Sequence, residues 1–305
     1  MLEITSGLAI VLLPMALGYL IVVRQPKRLA QINHIVLFLL YIILFIMGIT
    51  LGQLDDLGQK LPLIGFSAFV LCVSILICNI IGLIIYDKLS PIPILHITEK
   101  MPSQWRLLID SSKLCLSIVL GCLVGIMLKP SLQVPHGGSI YALIAMIFFV
   151  GIQLRNSGIS LRTVVFNQRG FCTAVIFCLT SLFGGILAAL TLSIPITQGL
   201  AFASGFGWYS LSSVVLTNAW GPMQGSIAFL NDLLREIFSL FMIPFFMRHF
   251  RSTAVGIAGA TALDCTLPII QRAGGIEVVP LAISFGVITN ILPPILLIFF
   301  SRFPL

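Results

Sequence analysis

The chain has 305 residues, of which 58% are hydrophobic and 9% charged, and its mean hydropathy is +1.12. A soluble domain carries about 25% charged residues, so a soluble fold is excluded and a single polytopic membrane domain over 1–305 is expected. The net charge of +7 does not point to nucleic acid, because Lys and Arg stand between apolar segments rather than along a polar face.

A helix crossing the hydrocarbon core needs about 20 apolar residues. Such segments fall at 6–23, 32–51, 61–86, 112–128, 139–154, 171–193, 224–247 and 276–301. The first follows Glu3 rather than a basic stretch and is read as a retained anchor, not a signal peptide. Residues 87–113, with Pro91, Pro93, His96, Trp105 and Arg106, read as a connection lying at the membrane interface. Two further stretches, 199–217 and 252–271, are apolar but interrupted by small, polar or proline residues, so each either crosses or dips in and returns.

Basic residues orient the chain. Arg24, Lys27 and Arg28 follow the first segment, Lys88, Lys100, Arg106 and Lys113 the third, and Arg155, Arg162 and Arg169 the fifth, whereas the intervening connections hold Lys60 and Lys129. Cytoplasmic loops carry such an excess, which puts the N-terminus outside. If both interrupted stretches are re-entrant, Arg248, Arg251 and Arg272 also fall in the cytoplasm, giving eight crossings with both termini periplasmic. Ten crossings would leave Arg248 and Arg251 outside, so eight is the better reading.

The run Phe45–Leu51 is echoed by Phe148–Leu154, three crossings later and so pointing the other way. An inverted-topology repeat, common among carriers, would leave such a trace; chance recurrence in membrane sequence is the other reading. All seven cysteines lie in apolar segments without a CxxC pair and read as small hydrophobes. No spacing suits a metal or cofactor.

Three stretches carry the chemistry. Asn231-Asp232-Leu233-Leu234-Arg235-Glu236 places three ionisable groups in an apolar helix, where each central charge costs about 2.5–3.5 kcal/mol. Arg235 is three residues from Asp232 and can pair with it, which leaves Glu236 for transport chemistry; a neutralised cluster that fixes packing is the alternative. In Asp264-Cys265-Thr266-Leu267-Pro268, the proline withholds a backbone donor and opens the turn around Asp264 towards a polar cavity, unless Asp264 caps a short helix. Ser204-Gly205-Phe206-Gly207-Trp208-Tyr209-Ser210 is small and hydroxyl-rich, suited either to a bend offering donors to a carboxylate or to close helix packing.

Together these stretches resemble the LysO lysine exporter family. The likeness rests on Gly151-Ile152-Gln153-Leu154-Arg155-Asn156, on Ala203 to Ser212, on Asn231-Asp232-Leu233 with Arg235-Glu236, on Arg251-Ser252-Thr253-Ala254, and on Asp264 with Thr266-Leu267-Pro268 and Gln271-Arg272. It covers nearly the whole chain and is densest over 148–275. It implies export of L-lysine and toxic analogues such as thialysine across a bacterial inner membrane, no enzymatic activity, and a requirement for two acidic residues matching Glu236 and Asp264. The chain departs at Ala262 and Cys265, where the family leads one to expect Ser and Phe.

Lysine would leave as a cation against an inside-negative potential, at about 2.3 kcal/mol per charge per 100 mV. Coupling is therefore expected, with protons exchanging against lysine at Glu236 or Asp264. The supporting set is Asn231, Asp232, Arg235, Ser204, Gly205, Gly207, Trp208, Tyr209, Ser210, Thr266, Pro268 and Gln271. The competing readings are another cation- or proton-coupled antiporter for ions or organic acids and, more remotely, an intramembrane aspartyl protease, for which the Gly-x-Gly-Asp pattern is absent at Asp264. A homodimer is expected only from the prevalence of two-fold symmetry.

Overall fold

The computed structural model describes residues 13–14, 16–23, 25–53, 57–91, 104–128, 138–156, 167–263 and 266–302. Its elements, in order, are α1 (Pro26–Gly52), α2 (Leu57–Leu89), α3 (Gln104–Met127), α4 (Gly138–Asn156), α5 (Gln168–Leu192), α6 (Ile196–Ala203), α7 (Tyr209–Trp220), α8 (Pro222–Met247), α9 (Arg251–Gly256), a 3-10 turn (Gly259–Leu263), α10 (Leu267–Gly274), a second 3-10 turn (Ile276–Val278) and α11 (Val279–Arg302). Every regular element among the described residues is helical. Four helices, Lys27–Gly52, Leu57–Leu89, Gln168–Leu192 and Val279–Arg302, are long and apolar enough to cross a membrane. Large apolar side chains stand on the outer surface, among them Phe38, Phe66, Phe69, Leu179 and Phe245. So extensive an apolar exterior belongs against lipid.

Residues 104–111, read from the sequence as part of a connection, are helical and open α3. Their polar residues hid the helix from a search for apolar runs. Element ends follow local chemistry. Asn167 caps α5 by accepting from the Gly170 N–H at 2.9 Å, and Ser193, left-handed at φ 54°, ends it. Gly221 and Pro222 then reverse the chain into α8.

Close approach of backbones sets the packing. A Cβ on Gly48, Gly121 or Gly125 would come within about 2.3 Å of a carbonyl oxygen on the facing helix, so α1 and α3 cross with their backbones in contact, as small residues permit between membrane helices. A Cβ on Gly185 would stand 2.5 Å from the Gly199 oxygen, which brings α6 back along α5. Helices α2 and α5 run antiparallel, joined by Thr180 donating to Asn79 at 2.7 Å and by the Asp87–Arg169 pair at 2.6 Å. Helices α1 and α4, which hold the two echoing runs, are joined by Gln153 donating to Asn33 at 2.8 Å.

Two helical hairpins enter this frame from opposite ends. The first, α6–α7, starts beside the C-terminus of α5 and returns along the first half of α8, where Gly225 fits under Ser213 and Thr217. The second, α9 with the 3-10 turn and α10, starts beside the C-terminus of α2, where Asp87 meets Ser252 and Thr253. It returns to Met247, against which Gly274 packs. The apolar core correspondingly forms two clusters. One contains Ile43, Leu71, Phe202 and Phe229; the other contains Leu83, Phe177, Phe206 and Phe285. The hairpin tips lie where the two clusters meet.

Candidate functional site

The two tips touch. In the first, Phe206 and Gly207 have φ of 51° and 95°, conformations that end α6 and restart the chain as α7. In the second, Gly259 has φ of 61°, and a Cβ there would lie 2.3 Å from the Phe206 oxygen. Glycine is needed at 259 on both counts. The Ala260 N–H donates to that same Phe206 oxygen at 2.8 Å, and Asn290 of α11 donates to the Ala260 oxygen at 2.8 Å. One residue of the second hairpin is thus tied both to the first hairpin and to the last helix.

A cavity of about 550 Å³ opens at this contact, within the span of small-ligand sites, about 300–1,000 Å³. Its inner wall is Gly207–Ser210 and Ala260–Thr261; it continues between α1, at Asn33 and Leu40, and α4, at Met146 and Gln153. It extends towards the N-terminus of α1 and the C-terminus of α4, the end at which Lys27, Arg28 and Arg155 lie.

Behind the inner wall is a buried polar cluster on α8. Asp232 is fully buried and Arg235 is 2% exposed. They pair at 3.5 Å, as the spacing in sequence anticipates, and Arg235 also lies over the Phe177 ring at 5.8 Å. Ser212 of the first hairpin donates to Asp232 at 2.6 Å, and Asn231 donates at 3.1 Å. A Cβ on Gly205 would sit 2.5 Å from Asp232 Oδ2, so the tip closes over the acid only because residue 205 lacks a side chain.

The remaining candidates are distributed unevenly. Trp208, Tyr209 and Ser210 line the cavity. Ser210 is 3% exposed, stands in the first turn of α7, and its hydroxyl has no hydrogen-bond partner among the described residues. Ser204 does not face the cavity: its hydroxyl donates to Leu200 within α6 at 2.6 Å. Thr266 donates to the Thr261 oxygen at 2.9 Å and so shapes the second tip. Pro268 sits in the first turn of α10, a position where a missing N–H costs nothing; the helix is interrupted ahead of it. Gln271 is exposed. Glu236, one turn beyond Asp232, is buried at 6% exposure and is not among the cavity-lining residues. Asp264 and Cys265 lie outside the described residues. No group of His, Cys, Asp and Glu able to hold a metal occurs among the described residues, and the cysteines there are free thiols, with Cys72 and Cys178 buried and Cys172 exposed.

Two features were not singled out from the sequence. Asn290 was visible as one amide in an otherwise apolar segment. Asp87, at the end of an apolar segment, anchors the second hairpin, accepting from the Thr253 N–H at 2.8 Å, the Thr253 hydroxyl at 2.9 Å, the Ser252 N–H at 3.2 Å and Arg169 at 2.6 Å. Arg169 also donates to the Ser252 and Ser90 hydroxyls, each at 2.8 Å, and to the Ser90 carbonyl.

An apolar exterior around paired hairpins that meet at a cavity defines a helical membrane transport protein. Comparison with known proteins gives the family: residues 115–301 match the lysine exporter LysO family, and the chain belongs to it. It is 46% identical over 296 residues to lysine exporter LysO of Escherichia coli, covering 97% of this chain and 99% of that protein. It is 66% identical over 189 residues to a provisionally named lysine exporter of Haemophilus influenzae, covering 62% of this chain and 97% of that protein. No solved structure matches. The family is one of exporters, not enzymes, which disposes of the protease reading.

Proposed function

We propose that the protein exports L-lysine, and analogues such as thialysine, across a bacterial inner membrane in exchange for protons, using the cavity at the hairpin tips as the substrate site. The observation that carries this reading is the cavity itself, bounded by two interrupted hairpins of opposite entry, in a chain 46% identical over nearly its full length to the lysine exporter of Escherichia coli. Irregular backbone at membrane depth is tolerated where it lines a cavity, and half-helix ends supply polar groups there without many charged side chains.

The membrane arrangement in this reading has eight crossings: an N-terminal segment, α1, α2, α3, α4, α5, α8 and α11. The first hairpin enters from the periplasm and the second from the cytoplasm, with both termini periplasmic. It is supported by the antiparallel course of α2 and α5, by the return of each hairpin to its own end, and by Lys88, Arg169, Arg248 and Arg251 standing at one end. The cavity then faces the cytoplasm, as an exporter waiting for substrate requires.

Within the cavity, the substrate α-carboxylate lies against the first turn of α7. Partial positive charge gathers at a helix N-terminus, and the unpartnered Ser210 hydroxyl adds a donor. Ser204 has no part in this. Glu236 and Asp264 serve as the sites at which a proton and the lysine ammonium exclude one another. Export then spends the proton gradient against the opposing membrane potential. Reconstituted protein should move labelled lysine faster under an imposed proton gradient. Efflux indifferent to the gradient removes the antiport, and absence of lysine counterflow turns the reading to a carrier for another solute.

A further inference from the structure

Asp232 lies behind the cavity and touches none of its space, yet it is the most heavily bonded side chain in the middle of the protein. Its two oxygens receive donors from Ser212, Asn231 and Arg235. One of the three, Ser212, belongs to the first hairpin, and Gly205 of the same hairpin lies against the same Oδ2. Asp232 therefore meets the first hairpin on both sides of the left-handed turn at Phe206 and Gly207, by contact at Gly205 and by the bond at Ser212, and the residues immediately after that turn, Trp208, Tyr209 and Ser210, form the cavity wall. A turn through left-handed φ at a non-glycine residue is strained and persists only where its surroundings hold it. Here the holding group is a buried carboxylate.

We propose that Asp232 is a positioning residue for transport: through its bond to Ser212 and its close contact with Gly205 it fixes the tip of the first hairpin and so sets the place of Trp208–Ser210 in the substrate cavity. It does not bind substrate, and Arg235 serves it by cancelling its charge. The proposal rests on the reading of the cavity as the lysine site only for its kinetic consequence; the structural consequence stands without it.

The test uses Ser212→Ala, which removes one bond and leaves Asp232 satisfied by the rest, and Asp232→Asn, which sets an amide donor against existing donors. Thr180→Val, losing a half-buried hydroxyl bond between α2 and α5 that touches neither Asp232 nor the cavity wall, is the control. In full-length protein in proteoliposomes, Ser212→Ala should raise the KM for lysine about tenfold, the scale of one hydrogen bond to a charged group, while Vmax changes less than about twofold; Thr180→Val should leave KM alone. A fall in Vmax with KM unchanged, or a control that behaves like Ser212→Ala, overturns the proposal. A second readout needs no substrate. In protein keeping Trp208 as its one tryptophan (Trp105→Phe, Trp220→Phe), Ser212→Ala should shift the emission to the red and increase acrylamide quenching, with Asp232→Asn following where it reaches the membrane. Unchanged emission refutes the positioning role. Wild-type protein that moves no lysine while the emission shifts refutes the lysine reading instead.

Discussion

Removing the Asp87 carboxylate should release the second hairpin at its root. Asp87 is 5% exposed and receives three donors from Ser252 and Thr253, at 3.2, 2.8 and 2.9 Å, besides Arg169 at 2.6 Å. Hydrogen bonds to charged groups are worth about 1.5–3 kcal/mol each, and stranding buried partners costs more than the bonds contribute. Arg169 is 18% exposed and keeps the Ser90 carbonyl and hydroxyl, so its loss is discounted. The two backbone N–H groups have no such substitute. Asp87→Asn should therefore cost about 3 kcal/mol locally. At 1.36 kcal/mol per factor of ten, amide exchange at residues 252–257 should accelerate on the order of a hundredfold. Hydrogen exchange read by mass spectrometry on detergent-purified protein measures this directly, with peptides of α5 as the internal reference. Arg169→Lys should accelerate the same peptides much less, since Asp87 keeps its three hairpin donors. Equal protection of 252–257 in wild type and Asp87→Asn would refute the idea that this acid anchors the hairpin.

Gly185→Ala should reduce the yield of folded protein, because the added carbon meets the Gly199 oxygen at 2.5 Å and overpacking costs about 1–3 kcal/mol; size-exclusion profiles of the purified variants report it. Ser210→Ala should weaken lysine transport several-fold through KM, whereas cadaverine, which lacks the carboxylate, should be a poor substrate for wild type and variant alike; competition assays with both compounds separate the two effects. Asn290→Leu, by freeing the Ala260 carbonyl, should lower transport at unchanged expression, whereas Asn290→Gln should restore part of it.

Most of the scaffold was legible because membrane helices announce themselves as apolar runs. The basic residues did more, since the alternation of Arg24, Lys88 and Arg155, continued by Arg248, favoured two re-entrant stretches over two further crossings; each of those stretches folds as a helical hairpin. Residues 104–111 escaped because their helix is polar, and hydropathy is blind to helices of that kind. At the site, the spacing of Asp232 and Arg235 was enough to predict their pairing. What one helix cannot disclose is that Ser212 and Gly205 of the first hairpin reach the same acid. Ser204 and Ser210 stood in one motif as equals; six residues of chain and a left-handed turn put one hydroxyl into its own helix and the other beside a cavity. Asp87 was overlooked because a charge at the end of an apolar run ordinarily lies in water, and its partners are more than 80 residues away along the chain.

The central claim is lysine export coupled through intramembrane acids, and its most direct test is radiolabelled lysine efflux from cells lacking their own exporters. Wild type, Glu236→Gln and Asp264→Asn are to be compared at matched membrane expression. The account predicts efflux well above empty vector for the wild type and near that background for both variants. Wild-type efflux equal to empty vector would contradict the substrate, and full activity in either variant would return that acid to a structural role.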